Sequence, residues 1–278
     1  MEIFNGNKFA REILEGLKQE SKTLAVKPGV AVVGFGEESA FIKRKRETAE
    51  FLGFNFRYHS FDESIGAKEF RERLNEIVRS HGVTAVVVQL PLPRNIKPAA
   101  LNVIPIEKDP DFLSDRAVGL FFNDRSIVSP PSAQAIIGIL ERDGTKLENS
   151  KVAVFGYGNL VGRFLVKMLL DAKAQVRIAA HPMSQEDIRE FVSGSDIIIS
   201  AVGSPRFLDA GLLPKGAAVV DAGFSTHDGK IAGDINFEAV PDKFKLIVPV
   251  PGGVGPVGVA MLFKNIISLC LNTFPRRD

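Results

Sequence analysis

Short apolar runs alternate along this chain with segments in which apolar residues recur every three or four positions. The runs are "GVAVVGF" (29–35), "TAVVVQL" (84–90), "KVAVFG" (151–156), "QVRIAA" (175–180), "DIIISAVG" (196–203), "AAVVDAG" (217–223) and "KLIVPV" (245–250). Runs that stay apolar through successive positions predict strands buried on both faces, and their alternation with helical segments predicts parallel sheets covered by helices. The fold class is therefore α/β. A helix over 7–20 places Phe9, Ile13, Leu14 and Leu17 on one stripe, and "EFRERLNEIV" (69–78) does the same with Phe70, Leu74, Ile77 and Val78. Between 91 and 131 the pattern turns proline-rich and irregular ("PLPRN", "VIPIEKDPDFL", "VSPPS"), and a second series of strands and helices starts after "ERDGTKLENS". At 278 residues the chain is long enough for two cores, which places a domain change near 120–150.

Two stretches carry candidate chemistry. The first, "VAVFGYGNLVGRFLVKMLL" (152–170), reads as strand, glycine-rich turn and amphipathic helix, with Gly156, Gly158 and Gly162 spaced G-x-G-x-x-x-G. Glycines there let the backbone approach a pyrophosphate, whose charge sits at the helix N-terminus; the same spacing also serves a merely tight turn. The next strand ends in Ala180 and His181 without the acidic residue that binds ribose hydroxyls in NAD enzymes. His181 is a candidate for facing a 2′-phosphate or, equally, an exposed loop residue before Pro182.

The second stretch is "ESAFIKRKRET" (38–48), with four consecutive cations at 43–46. On a helix over 41–52 at about 100° per residue, Phe41, Lys45, Thr48, Ala49 and Leu52 share one face. Lys43, Arg46, Glu47 and Glu50 fall on the other and read as solvated. Lys45 thus sits in the stripe expected to be buried. A buried ammonium needs a partner or loses its proton, which makes it a functional candidate, unless it snorkels to an edge.

Composition narrows the classes. Charged residues make up 24% and the net charge is +2, which argues against a nucleic-acid or membrane-surface protein. The one cysteine, Cys270, in the helical stretch "NIISLCLNTF", excludes an internal disulfide and a cysteine-rich metal cluster; no metal site is expected. No basic-then-apolar leader is evident, and no apolar run is read as reaching the roughly 18 residues that cross a bilayer. A cytoplasmic protein is expected.

Six stretches in order carry a resemblance: "FIKRK" (41–45), "VVVQLPLP" (86–93), "KDPDF" (108–112), "GYGNLVGR" (156–163), "GDINFE" (233–238) and "PVPGGVGPVGVAML" (249–262). Over nearly its full length the chain resembles the bifunctional methylenetetrahydrofolate dehydrogenase/cyclohydrolase family. The resemblance implies oxidation of 5,10-methylenetetrahydrofolate with NADP, NAD not being excluded, and hydrolysis of the methenyl product to 10-formyltetrahydrofolate, a second step expected to be weakened where Phe41 lacks the family's tyrosine hydroxyl. It implies two α/β domains flanking a cleft: a folate-binding catalytic domain at 1–120, joined by a C-terminal helix at 256–278, and a Rossmann-like NAD(P)-binding domain at 121–255. Lys45 matches the catalytic lysine, Gln89 its hydrogen-bonding neighbour and Asp111 the pterin-binding carboxylate. Phe41, Pro251, Gly252 and Gly253 fall at substrate-binding positions. Gly156, Tyr157, Gly158, Asn159, Leu160, Val161, Gly162 and Arg163, with His181, fall at cofactor positions. A homodimer is also implied.

The departures cluster around the folate positions. Phe41 stands where the family has tyrosine, Phe112 where it has glycine, Pro130 and Ala133 in its C-T-P-x-G segment, and Val257 and Gly258 after "PGGVGP". Tyr157 stands where an arginine often helps hold a 2′-phosphate. Two rival readings follow: a shikimate-dehydrogenase-like enzyme on another small substrate, against which "VQLPLP" and "PGGVGP" argue, and a folate- or nucleotide-binding protein without activity, against which Lys45, Gln89 and Asp111 together argue.

Overall fold

The computed structural model describes residues 2–181, 183–227, 230–237 and 243–274. Pro182, Glu238 of "GDINFE" and the last four positions of the expected C-terminal helix, 275–278, lie outside the described residues. In chain order the elements begin with β1 (Glu2–Ile3), α1 (Gly6–Ser21), β2 (Gly29–Phe35), α2 (Ala40–Phe51), β3 (Asn55–Phe61), α3 (Ala67–Arg79) and β4 (Ala85–Val88). After two short tight helices come α4 (Asp115–Phe122), α5 (Pro131–Arg142), β5 (Lys151–Phe155), α6 (Gly162–Asp171), β6 (Gln175–Ala179), α7 (Gln185–Phe191), β7 (Ile197–Ser200), β8 (Leu208–Asp209) and β9 (Ala218–Asp221). Three short strands, β10 (Ser225–His227), β11 (Lys230–Ala232) and β12 (Ile235–Asn236), precede β13 (Leu246–Val248) and the closing helix α8 (Val254–Thr273).

The chain forms two compact units, each built on its own parallel sheet. An amino-terminal unit holds residues 11–131 and the chain from Val259; a central unit holds residues 1–10 and 132–258. The expected division at 120/121 and 255/256 differs from this, most clearly at the N-terminus. Residues 1–10 belong to the central unit because β1 continues its sheet, pairing Glu2 with Leu246 and Ile3 with Ile247, and because Phe9 packs edge-on against Phe4 at 5.7 Å.

In the amino-terminal unit the sheet order is β3-β2-β4. Every residue of β4 is buried and β2 is buried through Gly34, as a strand with both faces covered requires. On one face Ala31, Val33, Val86 and Val88 meet Phe70, Leu74, Ile77 and Val78 of α3, the stripe read from the sequence. On the other, Val30, Val32, Ala85 and Val87 meet Ile42 and Ala49 of α2 and Phe263, Ile266 and Ile267 of α8. By length and composition α8 is apolar enough to cross a bilayer, with a mean hydropathy of 1.7. That corrects the reading that no run reaches such a length; 72% of the window is buried inside the protein, so packing covers its apolar surface.

The central unit carries a six-stranded parallel sheet in the order β1-β13-β9-β7-β5-β6. Beside it lie the antiparallel pair β10–β11 and the parallel pair β8–β12. Strand order reverses between β5 and its neighbours β6 and β7, so the carboxyl ends of these strands form the usual ligand-binding edge of a doubly wound sheet.

Leu74 is fully buried between α3 and the sheet. Leu74→Ala is expected to lower the unfolding free energy by about 2–5 kcal/mol, whereas Val26→Ala, at a 37% exposed position, changes it by less than about 0.5 kcal/mol. Urea denaturation of the two variants beside wild type measures both.

Candidate active site

Helix α2 begins at Ser39, whose side chain accepts the Ile42 N–H and satisfies one of the donors left open at a helix start. Lys45 lies on the inner face with 9% of its surface exposed, beside buried Thr48, Ala49 and Leu52. Two details differ from the angular reading. The apolar anchor of the first turn is Ile42, which enters the core against the sheet, while Phe41 is only half-buried. Arg46 is not simply solvated: it pairs with Glu38 and lies over the Phe56 ring at 4.6 Å. Lys43, Glu47 and Glu50 are exposed as expected.

Lys45 Nζ donates to Gln89 Oε1 at 2.9 Å. Gln89 follows β4, and its N–H extends the ladder to Val33 O at 2.7 Å, which fixes its backbone at the carboxyl edge of the sheet. Its side-chain Nε2 donates to Leu90 O at 3.1 Å, so the carbonyl end is left to face the lysine. Desolvation lowers the proton affinity of Lys45, and the nearby Asp111 charge pulls the other way.

Asp111 sits on a tight turn whose geometry is set by Asp109, a residue the sequence reading did not single out. Buried Asp109 accepts from Leu113 N at 2.9 Å, Ser114 N at 2.8 Å and Ser114 Oγ at 2.7 Å, and Ser114 then caps α4. From α8, buried Asn265 donates to Pro110 O at 2.9 Å and Ser129 O at 2.8 Å, closing the turn from its other side. Lys108 Nζ donates to Val78 O at 2.7 Å near the end of α3. The spacing of Asp109 ahead of Ser114, a residue type favoured at helix starts, was the available signal. Burial pushes the Asp111 carboxyl up to about 6, with Lys45 opposing and Asp109 adding to the rise. Phe112 occupies the left-handed region at φ 57°, and its buried ring packs edge-on against Phe121 at 5.7 Å.

The structure therefore joins Lys45 to Gln89 and couples Lys45 to Asp111, with Phe41 one helical turn before the lysine. Such a group has a clear chemical use. A lysine that gives up its proton readily serves as a base, and a carboxyl titrating near 6 serves as an acceptor above that pH.

Pro251, Gly252 and Gly253 belong to the central unit. Gly252 has φ 98° and accepts from Gly6 N at 2.8 Å, while a side chain on Gly253 would meet Pro249 O at 2.4 Å. These glycines thus have a local role in the turn before α8.

The glycine-rich turn after β5 is tightly built. A Cβ on Gly156 would come 2.4 Å from Ala201 O, and one on Gly162 would come 2.2 Å from Gly156 O. Gly158 has open space beside it. Tyr157, Asn159 and Leu160 are exposed and Val161 is half-buried. Val161 precedes α6 without a side-chain cap, and Arg163 N donates back to Gly158 O at 3.2 Å, which ties the start of the helix to the glycine turn. Arg163 lies over the Phe164 ring at 4.8 Å with its Nε buried and without a hydrogen-bond partner among the described residues. His181 is exposed at the end of β6. These features fit a dinucleotide: a tight glycine turn, open space at Gly158 and a helix start without a side-chain cap.

Two family models match the chain. Residues 4–111 match the tetrahydrofolate dehydrogenase/cyclohydrolase catalytic domain, and residues 130–274 match the NAD(P)-binding domain of the same family. A bifunctional protein FolD of Wolbachia sp. subsp. Drosophila simulans is 32% identical over 97% of this chain and 95% of its own length. One from Clostridium perfringens is 34% identical over 91% of this chain and 90% of its own. Among solved structures, the methylenetetrahydrofolate dehydrogenase-cyclohydrolase of Trypanosoma brucei, complexed with NADP cofactor and inhibitor, superposes with a TM-score of 0.92 at 28% identity, covering 99% of this chain and 98% of that one. The bifunctional enzyme of Campylobacter jejuni gives 0.90 at 30% identity, covering 98% and 99%. With both domain models matched in order and full-length relatives above 30% identity, the chain belongs to the tetrahydrofolate dehydrogenase/cyclohydrolase family.

Proposed function

We propose that the protein oxidises 5,10-methylenetetrahydrofolate to 5,10-methenyltetrahydrofolate with NADP and hydrolyses that product to 10-formyltetrahydrofolate. The observation that carries this reading is the hydrogen bond from buried Lys45 to Gln89, with the Asp111 carboxyl acting on the same amine. NADP, when bound, supplies the acceptor for the hydride that leaves the bridging carbon. Water then adds to the cationic carbon and the carbon–N5 bond breaks. N5 regains one proton and another is released, so one water is consumed per turnover.

A charged ammonium beside a cationic product is repelled, so the lowered proton affinity of Lys45 favours the neutral amine that accepts a proton from water. Gln89 holds that amine by its carbonyl. Asp111, once ionised, accepts two hydrogen bonds from the pterin amino and ring N–H groups and is needed before either step. In the central unit, the backbone of the turn at Gly156 and Gly158 and the start of α6, which has no side-chain cap, would hold the pyrophosphate. The end of β6 has Ala180 and His181 in place of a carboxylate, which favours a 2′-phosphate, and the NADP complex of the Trypanosoma brucei relative supports the same choice.

We also expect a homodimer in the cytoplasm, without nucleic acid or membrane as partner. The seven-residue edge strand β3 offers an unpaired side for a second copy, and the near-balanced charge supports the rest.

Lys45→Met is expected to cut cyclohydrolase kcat by about a hundredfold or more while folate binding stays within about tenfold. The test follows hydrolysis of methenyltetrahydrofolate by absorbance, and unchanged hydrolysis refutes the assigned role. Asp111→Asn replaces an acceptor by a donor facing the pterin donors and is expected to cost about 2 kcal/mol or more of folate binding by calorimetry. For pH dependence the sign is set by Asp111, whose carboxyl is raised to about 6 and is therefore protonated below that value. The kcat/KM of both steps should fall as pH drops through about 6, and a profile flat from 5 to 8, on the order of three pH units around it, contradicts the role.

A further inference from the structure

We infer that Asp234, in the "GDINFE" stretch, is a positioning residue for the dinucleotide site, acting through the loop Val202–Ser204. The inference rests on the reading that the central unit binds NADP, and its evidence is the way buried carboxylates thread three segments together at the carboxyl edge of the sheet.

Asp234 is fully buried. One oxygen of its carboxylate accepts from Ser200 Oγ at 2.8 Å and Val202 N at 2.7 Å, and the other accepts from Ser204 N at 2.9 Å. Its own backbone is equally committed: its N–H donates to Asp221 Oδ1 at 3.1 Å and its carbonyl accepts from Leu208 N at 2.9 Å. Asp221, at the end of β9, holds this backbone in place by accepting also from Ile235 N at 2.9 Å and Gly223 N at 2.9 Å. The packing is close on both sides. A Cβ on Gly223 would fall 2.1 Å from the Asp234 carboxylate, and one on Gly233 would fall 2.1 Å from that of Asp221. Neither carboxylate has room to shift.

The loop that Asp234 holds is the one on which the glycine-rich turn rests. Ala201 N donates to Phe155 O at 2.8 Å, and Ala201 O and Val202 N lie 2.4 and 3.1 Å from where a Cβ of Gly156 would stand. The outer side of the loop is open. Gly203 has φ 75°, with Phe224 O at 3.7 Å as the one atom near its missing Cβ, and Val202 and Phe224 expose 44% and 51% of their surface. Together with exposed Tyr157 and Leu160 they give the carboxyl ends of β5, β7 and β9 an apolar rim. A rim of this kind suits the flat face of a nicotinamide ring. A carboxylate that fixes three loop groups at once sets both the shape of that rim and the seat of the phosphate-binding turn.

Asp234→Asn keeps the volume but turns one acceptor oxygen into a donor facing a backbone N–H or the Ser200 hydroxyl. Ser200→Ala removes one of the three bonds and is the milder variant if the first folds poorly. Both are measured for NADP binding by calorimetry, for KM(NADP) and kcat of the dehydrogenase step, and for hydrolysis of methenyltetrahydrofolate, which needs Lys45 and no dinucleotide. The expected result is NADP affinity weakened about tenfold or more in Asp234→Asn and about threefold in Ser200→Ala, with KM(NADP) rising in proportion and hydrolysis within about twofold of wild type. Unchanged NADP affinity in both variants overturns the inference, as does hydrolysis falling in step with NADP affinity, which marks a general folding role. A wild-type protein that binds neither NADP nor NAD overturns the functional reading and the inference with it.

Discussion

An amine on the buried face of a helix is the constraint around which the amino-terminal unit is arranged. Removing an ammonium from water costs several kcal/mol unless something compensates it. Lys45 is compensated by one neutral acceptor, Gln89, and one carboxyl, Asp111. The balance is informative. Desolvation outweighs the carboxylate's pull, so the net effect is a lowered proton affinity, where a structural ion pair would raise it. The carboxyl is shifted as well, up to about 6. Both shifts favour the neutral forms of the two groups, a perturbation that has more use in chemistry than in stability.

Both units solve the same positioning problem with buried carboxylates that accept backbone N–H groups. Asp109 folds the turn that presents Asp111, and Asp221 and Asp234 interlock the loops at the edge of the central sheet. A carboxylate suits this because each oxygen has two lone pairs and the charge strengthens every bond it accepts. Loops at a ligand-binding edge lack a ladder to fix them, and internal acceptors take its place.

The parts of this architecture legible in the sequence were those with a strong period. The buried strands β2, β4, β5, β7, β9 and β13 and the stripe of α3 follow from runs and spacing alone, because burial on both faces or one leaves a direct mark on composition. Lys45 was found by angle, since a polar residue in an apolar stripe is conspicuous. Partners across long separations were not legible by pattern. Gln89 and Asp111 came from family resemblance, while Asp109 and Asn265 passed unnoticed because one polar residue in a loop or a helix has no period. Edge strand β3 was missed because its outer side meets solvent and its residues alternate, and β1 because two residues carry no pattern. Residues 1–10 join the central sheet through that same two-residue strand.

Phe112, a departure from the family, meets a backbone demand that favours glycine by packing its ring. It holds the left-handed backbone that a glycine would adopt freely, at φ 57°, which costs a side-chain-bearing residue roughly 1–2 kcal/mol. Burying a phenylalanine ring contributes about 1.5–3 kcal/mol, and an edge-on aromatic contact such as that with Phe121 adds about 0.5–1.5 kcal/mol. Burial exceeds strain, so the turn keeps the backbone path that glycine permits and gains an anchor that glycine lacks. Asp111 is then held from three sides: Asp109 through Leu113 and Ser114, Asn265 through Pro110, and the Phe112 ring in the core. On α2 the exchange runs the other way. Phe41 keeps an aromatic face one turn from Lys45 but has no hydroxyl to offer the amine, so the lysine's position depends more heavily on Gln89 and on a carboxylate whose turn has been made stiffer.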